Sequence, residues 1–145
     1  MKVTILDTRP NEEEEIIIKC SFLDDDMLKL INYFKQGSRK LPASRDGKMF
    51  FLEPREVFYF ESVEQKVFAY CRLEVYQVKN KLYELMEELP GRDFIRASKS
   101  TILNLNKIVS LAPAFGGRYE ALLENHEKVI ISRQYIGTLK EKLGI

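Results

Sequence analysis

The stretch Phe94-Ile95-Arg96-Ala97-Ser98-Lys99-Ser100-Thr101-Ile102-Leu103-Asn104-Leu105 holds a cluster of basic and hydroxyl side chains between strand-like apolar residues. Two more polar clusters interrupt an otherwise apolar β framework, at Glu64-Gln65-Lys66 and Ser132-Arg133-Gln134-Tyr135. Lys and Arg pair with phosphates or with guanine O6 and N7, and Ser and Thr hydroxyls bond phosphate oxygens. The residue types favour a nucleic-acid interface, although each cluster taken alone also fits an ordinary solvated loop.

The sequence around these clusters predicts a mainly β fold, α+β overall. Turn signals at Asp46-Gly47 and Gly116-Gly117 predict hairpins between short apolar runs. Amphipathic spacing predicts one helix over Leu82–Leu89 and a closing helix from Ile136 to Leu143. The predicted strands cover residues 41–45, 48–52, 57–62, 67–72, 74–78, 94–96, 98–105, 107–112, 119–124 and 129–132.

The N-terminal residues have a different pattern, which predicts a small β-β-α extension. Lys2–Leu6 and Glu15–Phe22 are predicted strands, the second because of its three consecutive isoleucines. A helix follows Asp24–Asp26, with apolar residues at helical spacing and Gly37 as its C-cap. Helix spacing gives way to strand spacing near Gly37–Lys40. We therefore predict an extension over residues 1–39 and a second unit over residues 40–145.

Charge and composition narrow the class of protein. The chain has 145 residues and a formal net charge of +1, but residues 1–30 carry −4 and residues 31–145 carry +5. A mildly basic body is compatible with phosphate binding, or with chance variation of a solvated surface. The apolar runs are far too short to span a membrane, and the first residues do not resemble a signal peptide. We expect Cys20 and Cys71 to be reduced, as cysteines are in the cytosol, and therefore expect a cytoplasmic protein.

The sequence contains no recognisable catalytic machinery. The single histidine, His126, falls in a predicted turn, and one histidine cannot make a metal site. No glycine-rich phosphate loop occurs, and Ser98-Lys99-Ser100 lacks the spacing of a serine–lysine nucleophile. We therefore expect no enzyme activity, no cofactor and no metal.

The opening stretch resembles the signature F-x-R-x-H-[RK]-S-x-[IL]-[VL]-N of the LytTR DNA-binding domain family, found in LytR/AlgR-like regulators. Val57-Phe58-Tyr59-Phe60-Glu61-Ser62 is similar to its upstream strand, and Val129-Ile130-Ile131-Ser132-Arg133-Gln134-Tyr135 to its closing motif. The resemblance covers roughly residues 40–145. It implies elongated antiparallel sheets with short helices, and loops that insert into successive major grooves of double-stranded DNA.

The resemblance also assigns roles to single residues. It implies base contacts by Gln65 or Lys66, by Lys99 and by Arg133. It also implies residues that contact phosphate or support the base-contacting residues, namely Arg96, Ser98, Ser100 and Tyr135. Ser98 stands where much of the family has histidine, so the contact at that position is expected to differ. From the residue type itself we expect Asn104 to bond nearby backbone and fix a turn.

The expected protein is a sequence-specific transcriptional regulator. The residues before the domain are too few for a receiver domain, so it resembles stand-alone family members. Family operators imply paired repeats in promoter DNA, and a homodimer is possible; the extension either docks on the domain or dimerises. The alternative is a protein-interaction or ligand-sensing β module that does not touch DNA.

Overall fold

A computed structural model describes residues 2–36 and 40–145 of the chain. Its first element is helix α1, Asp25–Gln36. Asp24 caps this helix, because its Oδ1 accepts a hydrogen bond from the N–H of Met27 over 2.8 Å. Asp25 and Asp26 in the first turn interact favourably with the helix dipole. The predicted helix is thus present, while its predicted C-cap, Gly37, lies outside the described residues.

The two strands predicted before this helix are wrong, since residues 2–24 contain no strand. Ile16 and Ile17 are 64% and 68% exposed. A β-branched run favours extended backbone, but a strand also needs a neighbouring strand to pair with its N–H and C=O groups. Nothing in the described part of the chain supplies one here.

Helix α1 lies against the segment that precedes the signature stretch. Asp26 Oδ1 is 3.5 Å from the point that a Cβ atom would occupy on Gly91. The ammonium of Lys142 donates a hydrogen bond to the Gly91 carbonyl. Burial lowers the pKa of Lys142, whereas the negative charge of Asp26 raises it. The extension therefore contacts the rest of the chain, and the division after residue 39 stays a prediction.

Seven antiparallel strands form the larger sheet, in the order β2-β1-β5-β4-β3-β7-β6. The hairpin predicted at Asp46-Gly47 is confirmed, with positive φ at both turn residues, as a type I′ turn requires. Helix α2, Leu82–Glu88, connects β5 to β6. The strands are β1 Leu41–Arg45, β2 Lys48–Leu52, β3 Tyr59–Val63, β4 Lys66–Tyr70, β5 Val75–Val78, β6 Phe94–Ser98 and β7 Thr101–Asn104.

The remaining strands form a smaller antiparallel sheet, in the order β10-β9-β8. They are β8 Ile108–Ala114, β9 Arg118–Leu123 and β10 Lys128–Ile131, and helix α3, Ile136–Leu143, is the last of the described elements. Gly116 and Gly117 lie in the β8–β9 turn, as predicted. The result is the expected mainly β fold with short helices.

Strand β6 lies between two hydrophobic cores, because its successive side chains point to opposite faces of the sheet. Phe94 packs with Phe60 and Leu85 between the larger sheet and α2, whereas Ile95 packs with Leu103 and residues of the smaller sheet. Each fully buried Phe, Ile or Leu side chain contributes roughly 1.5–3 kcal/mol. Both faces of β6 are therefore fixed, and this fixes the turn that follows it.

Candidate nucleic-acid interface

Two hairpin turns lie at the same end of the larger sheet. Strand β3 leads into the turn Glu64-Gln65, and β7 emerges from the turn Lys99-Ser100. Strands β3 and β7 are antiparallel partners, with Glu61 opposite Thr101. The N–H of Ser62 donates a hydrogen bond to the carbonyl of Ser100 over 2.8 Å, which joins the two turns directly.

The first turn has an unfavourable backbone conformation. Glu64 and Gln65 have φ angles of 50° and 66°, in the left-handed region that favours glycine. Such strain, of order 1–3 kcal/mol per residue, is more common at functional sites than elsewhere. Gln65 and Lys66 are both exposed at this tip.

The second turn is held by its own side chains. Arg96 Nη1 donates to the carbonyl of Lys99 over 2.7 Å. Ser98 Oγ accepts from the N–H of Ser100 over 3.2 Å and lies 3.3 Å from its Oγ. Arg96 and Ser98 are half-buried, whereas Lys99 and Ser100 are exposed. The sequence predicted a strand running through residues 98–105; these local bonds end β6 at Ser98 and form a hairpin instead.

The third cluster is joined to the second by the backbone. The N–H of Ser132 donates to the carbonyl of Ala97 over 2.7 Å, so the chain leaving β10 is bound to β6. Arg133 is exposed and begins a short 3-10 turn that ends at Tyr135. Tyr135 is half-buried against the core between the two sheets, which fits a supporting role.

The structure thus places the three polar clusters at one end of the molecule. Lys99 and Arg133 are both exposed, and each lies within two residues of the hydrogen bond between Ala97 and Ser132. The chain is held there by backbone hydrogen bonds between residues far apart in the sequence. Three groups of exposed donors on a rigid support can contact a nucleic acid together.

A cleft of about 360 Å³ opens beside these clusters, between the two sheets. Two cations that the sequence did not single out, Arg118 and Lys128, line it with Ser98, Ser132 and Glu61. The signal for Arg118 is its place directly after the glycine pair that turns β8 into β9. Tyr59 also borders the cleft. Burial is the main cause that raises the pKa of its hydroxyl, and a hydrogen bond to Glu127 raises this pKa further, so the hydroxyl stays protonated.

The glycine pair was predicted only as a turn, but it also contacts the third cluster. A Cβ atom on Gly117 would lie 2.9 Å from Cδ and 3.3 Å from Cγ of Arg133. The aliphatic part of the Arg133 side chain therefore packs across Gly117. Sequence spacing gives no sign of this contact, because it depends on how β9 and β10 pair.

Asn104 has the structural role expected from its residue type. It is 1% exposed; its Nδ2 donates to the Val57 carbonyl over 2.9 Å, and its Oδ1 accepts from the N–H of Asn106 over 3.0 Å. These bonds fix the turn after β7. A buried amide with both sides bonded is not available to DNA.

Residues 2–36 and 40–145 lack the features of two other kinds of site. No group of three or more His, Cys, Asp or Glu side chains in these ranges is arranged to hold a metal ion. None of their helices is long and apolar enough to cross a membrane.

Comparison with known proteins identifies the family. Residues 47–144 match the family model described as the LytTr DNA-binding domain. The chain belongs to the LytTR family. A solved LytTr DNA-binding domain from Bacillus cereus superposes with a TM-score of 0.71 at 24% identity, over 75% of this chain and 100% of that one. This structural match confirms the expected fold.

Relatives of two kinds resemble this LytTR protein. The sensory transduction proteins LytT of Enterococcus faecalis and Bacillus subtilis are 28% and 26% identical to 94% and 95% of the chain. The chain spans only 58% of the length of each. An uncharacterized HTH-type transcriptional regulator of Staphylococcus aureus is 29% identical over 100% of the chain and 99% of its own length.

Proposed function

We propose that this LytTR protein regulates transcription by binding particular sequences of double-stranded DNA. The observation that carries the proposal is the pair of backbone hydrogen bonds, Ser62 to Ser100 and Ser132 to Ala97, which bring three exposed polar clusters to one end. Membership of a family of DNA-binding domains supports it. The clusters enter successive major grooves, where each base pair presents a distinct pattern of donors and acceptors.

Different residues of the interface have different tasks. Arg133 and Lys99 contact base edges, and Gln65 or Lys66 does so from the strained first turn. Ser100 and the backbone of these turns contact phosphates, which position the protein without reading sequence. Arg96, Ser98 and Tyr135 act mainly as supports, because their polar groups or rings are engaged within the protein.

The proposed mechanism needs no catalytic group. The protein acts in the cytoplasm on promoter sites that contain paired repeats, with one copy on each repeat. Two copies on neighbouring repeats gain affinity from contact with each other, so a homodimer on DNA is part of the proposal.

The test begins with selection of bound duplexes from a random pool, which yields the preferred operator. Affinity for the operator and for a scrambled duplex is then measured over a range of salt concentrations. A base contact by Arg133 predicts that Arg133→Ala loses roughly 1–3 kcal/mol of discrimination between the two duplexes. A phosphate contact instead predicts equal losses on both and a salt slope reduced by about one.

The control is Arg72→Ala, which removes an equal charge elsewhere. Arg72 follows β4, whose opposite end carries the first turn, and it pairs with Glu124 over 3.6 Å. We expect this variant to bind the operator like the parent. Failure to enrich any duplex, or equal binding by the parent, Arg133→Ala and Lys99→Ala, would contradict the proposal and favour a β module that binds protein or a small ligand.

A further inference from the structure

The tip of the β8–β9 hairpin carries an aromatic side chain that the proposed interface does not yet include. Phe115 is 95% exposed. Isolated apolar residues are ordinary on protein surfaces, so exposure alone indicates nothing. The position of this residue is what distinguishes it, since the loop that bears it also contacts Arg133.

Two observations fix that position. Tyr119 pairs with Pro113 and with Ile131, so the β8–β9 turn and the end of β10 lie at the same end of the smaller sheet. Gly117, two residues after Phe115, packs against Cγ and Cδ of Arg133. Phe115 and the exposed Arg133 are therefore neighbours at the end of the molecule where Lys99 also lies.

The chemistry of the major groove limits what a phenyl ring can contact there. The base edges present hydrogen-bond donors and acceptors, with one apolar group among them, the C5-methyl of thymine. A phenyl ring cannot pair with phosphate or donate a conventional hydrogen bond, but it can cover a methyl group and remove both from water.

We propose that Phe115 is a fourth base contact, which packs on a thymine methyl next to the base pair that Arg133 reads. This inference rests on the proposed function. It adds an apolar specificity element to an interface otherwise built from polar side chains. The operator should then contain a preferred thymine beside the position that depends on Arg133.

Replacement of thymine by uracil tests this contact directly, because it removes only the methyl group. With the parent protein, uracil at the contacted position should weaken operator binding by about fourfold, the value of one buried methyl-sized group. Phe115→Ala should weaken binding to the thymine operator by at least this much. With Phe115→Ala, the same uracil should have almost no effect, because the partner of the methyl group is already gone.

Leu73→Ala is the matched control, since Leu73 is 88% exposed and lies between β4 and β5, away from the tips. It should bind both operators like the parent. The proposal is overturned if Phe115→Ala binds the operator as tightly as the parent, or if uracil weakens the parent and Phe115→Ala equally.

Either of those results would leave the proposed function intact, provided that the parent still prefers its operator. Absence of any preferred duplex would overturn both proposals together. A change in sedimentation of Phe115→Ala without a change in uracil sensitivity would assign the residue to a protein contact, and would also overturn the inference.

Discussion

Arg96 donates a hydrogen bond from its guanidinium to the backbone carbonyl of Lys99, over 2.7 Å. The charge of Arg96 is thus used to shape the turn that presents Lys99. We expect Arg96→Ala to weaken operator binding by about tenfold, since hydrogen bonds to charged groups contribute roughly 1.5–3 kcal/mol. The salt dependence should stay close to that of the parent if Arg96 supports the turn, since a support does not neutralise a phosphate. Affinity measured across salt concentrations checks this.

Arg96→Lys is the matching control for charge, because it keeps the positive charge but offers a shorter, non-planar donor. We expect it to recover only part of the lost affinity. A salt slope lowered by about one in Arg96→Ala would instead mean that Arg96 binds a phosphate.

The contact between Gly117 and Arg133 gives a prediction with an internal control. Gly116 and Gly117 have φ angles of 77° and 76°, so alanine at either position should lower stability by about 1–2 kcal/mol. A Cβ atom on Gly116 has no neighbour within 4 Å, whereas one on Gly117 would displace Arg133. Only Gly117→Ala should therefore lose operator preference. Equal loss in both variants would show that Arg133 does not depend on this contact.

Local signals in the sequence predicted the elements that depend on local physics. The β1–β2 hairpin was predicted to the residue, because Asp46-Gly47 adopts positive φ angles at low cost and fixes the register of its flanking strands. Helix α1 was predicted from its acidic cap and its apolar spacing. The turn at Lys99-Ser100 was missed because it contains no glycine or asparagine, and hydrogen bonds from Arg96 and Ser98 form it instead.

Contacts between distant residues could not be predicted in the same way. Ile16–Ile18 favours a strand, but whether it pairs depends on a partner that composition does not reveal. The polar clusters of the candidate site were visible in the sequence and in the family resemblance. Their convergence depends on bonds such as Ser132 to Ala97, which join residues 35 positions apart. The contact of Gly117 with Arg133 arises for the same reason.

Asn104 provides a test of stability rather than of binding. It is buried and bonds both the Val57 carbonyl and the Asn106 N–H. Asn104→Ala should lower the free energy of unfolding by about 2–4 kcal/mol, because it leaves the buried Val57 carbonyl and the partly buried Asn106 N–H without these partners. Asn106→Ala, at an exposed position, should lower it by less than about 1 kcal/mol. Urea unfolding measures both, and a similar small loss for the two variants would contradict the assigned role.

Cys71 should make stability depend on pH in the alkaline range. Burial raises the pKa of its thiol to about 11, with Glu56 adding to the effect and Lys107 opposing it. An unfolded cysteine titrates near ~8.5. The stabilisation is therefore complete below about pH 8.5 and is lost as the pH rises from there towards about 11. Because the side chain is half-exposed, we expect a loss of about 1 kcal/mol or less.

Urea unfolding of the parent and of Cys71→Ala at several pH values isolates this effect from other titrating groups. The parent should lose more stability than Cys71→Ala as the pH rises, whereas Cys20→Ala, at an exposed position, should follow the parent. Parallel pH profiles for the parent and Cys71→Ala would contradict the prediction.

The strained turn at Glu64 and Gln65 predicts that stability and recognition can be separated. Asn-Gly is the preferred pair for a turn with two positive φ angles, so Glu64→Asn combined with Gln65→Gly should stabilise the protein by about 1–2 kcal/mol. Glu64→Asn alone should give part of this gain and keep operator preference, because Gln65 remains. If Gln65 reads a base, the double variant should be more stable yet less selective, as measured by thermal unfolding and by the affinity ratio of operator to scrambled duplex. If the double variant keeps its full selectivity and Lys66→Ala loses selectivity, the base contact is made by Lys66 and not by Gln65.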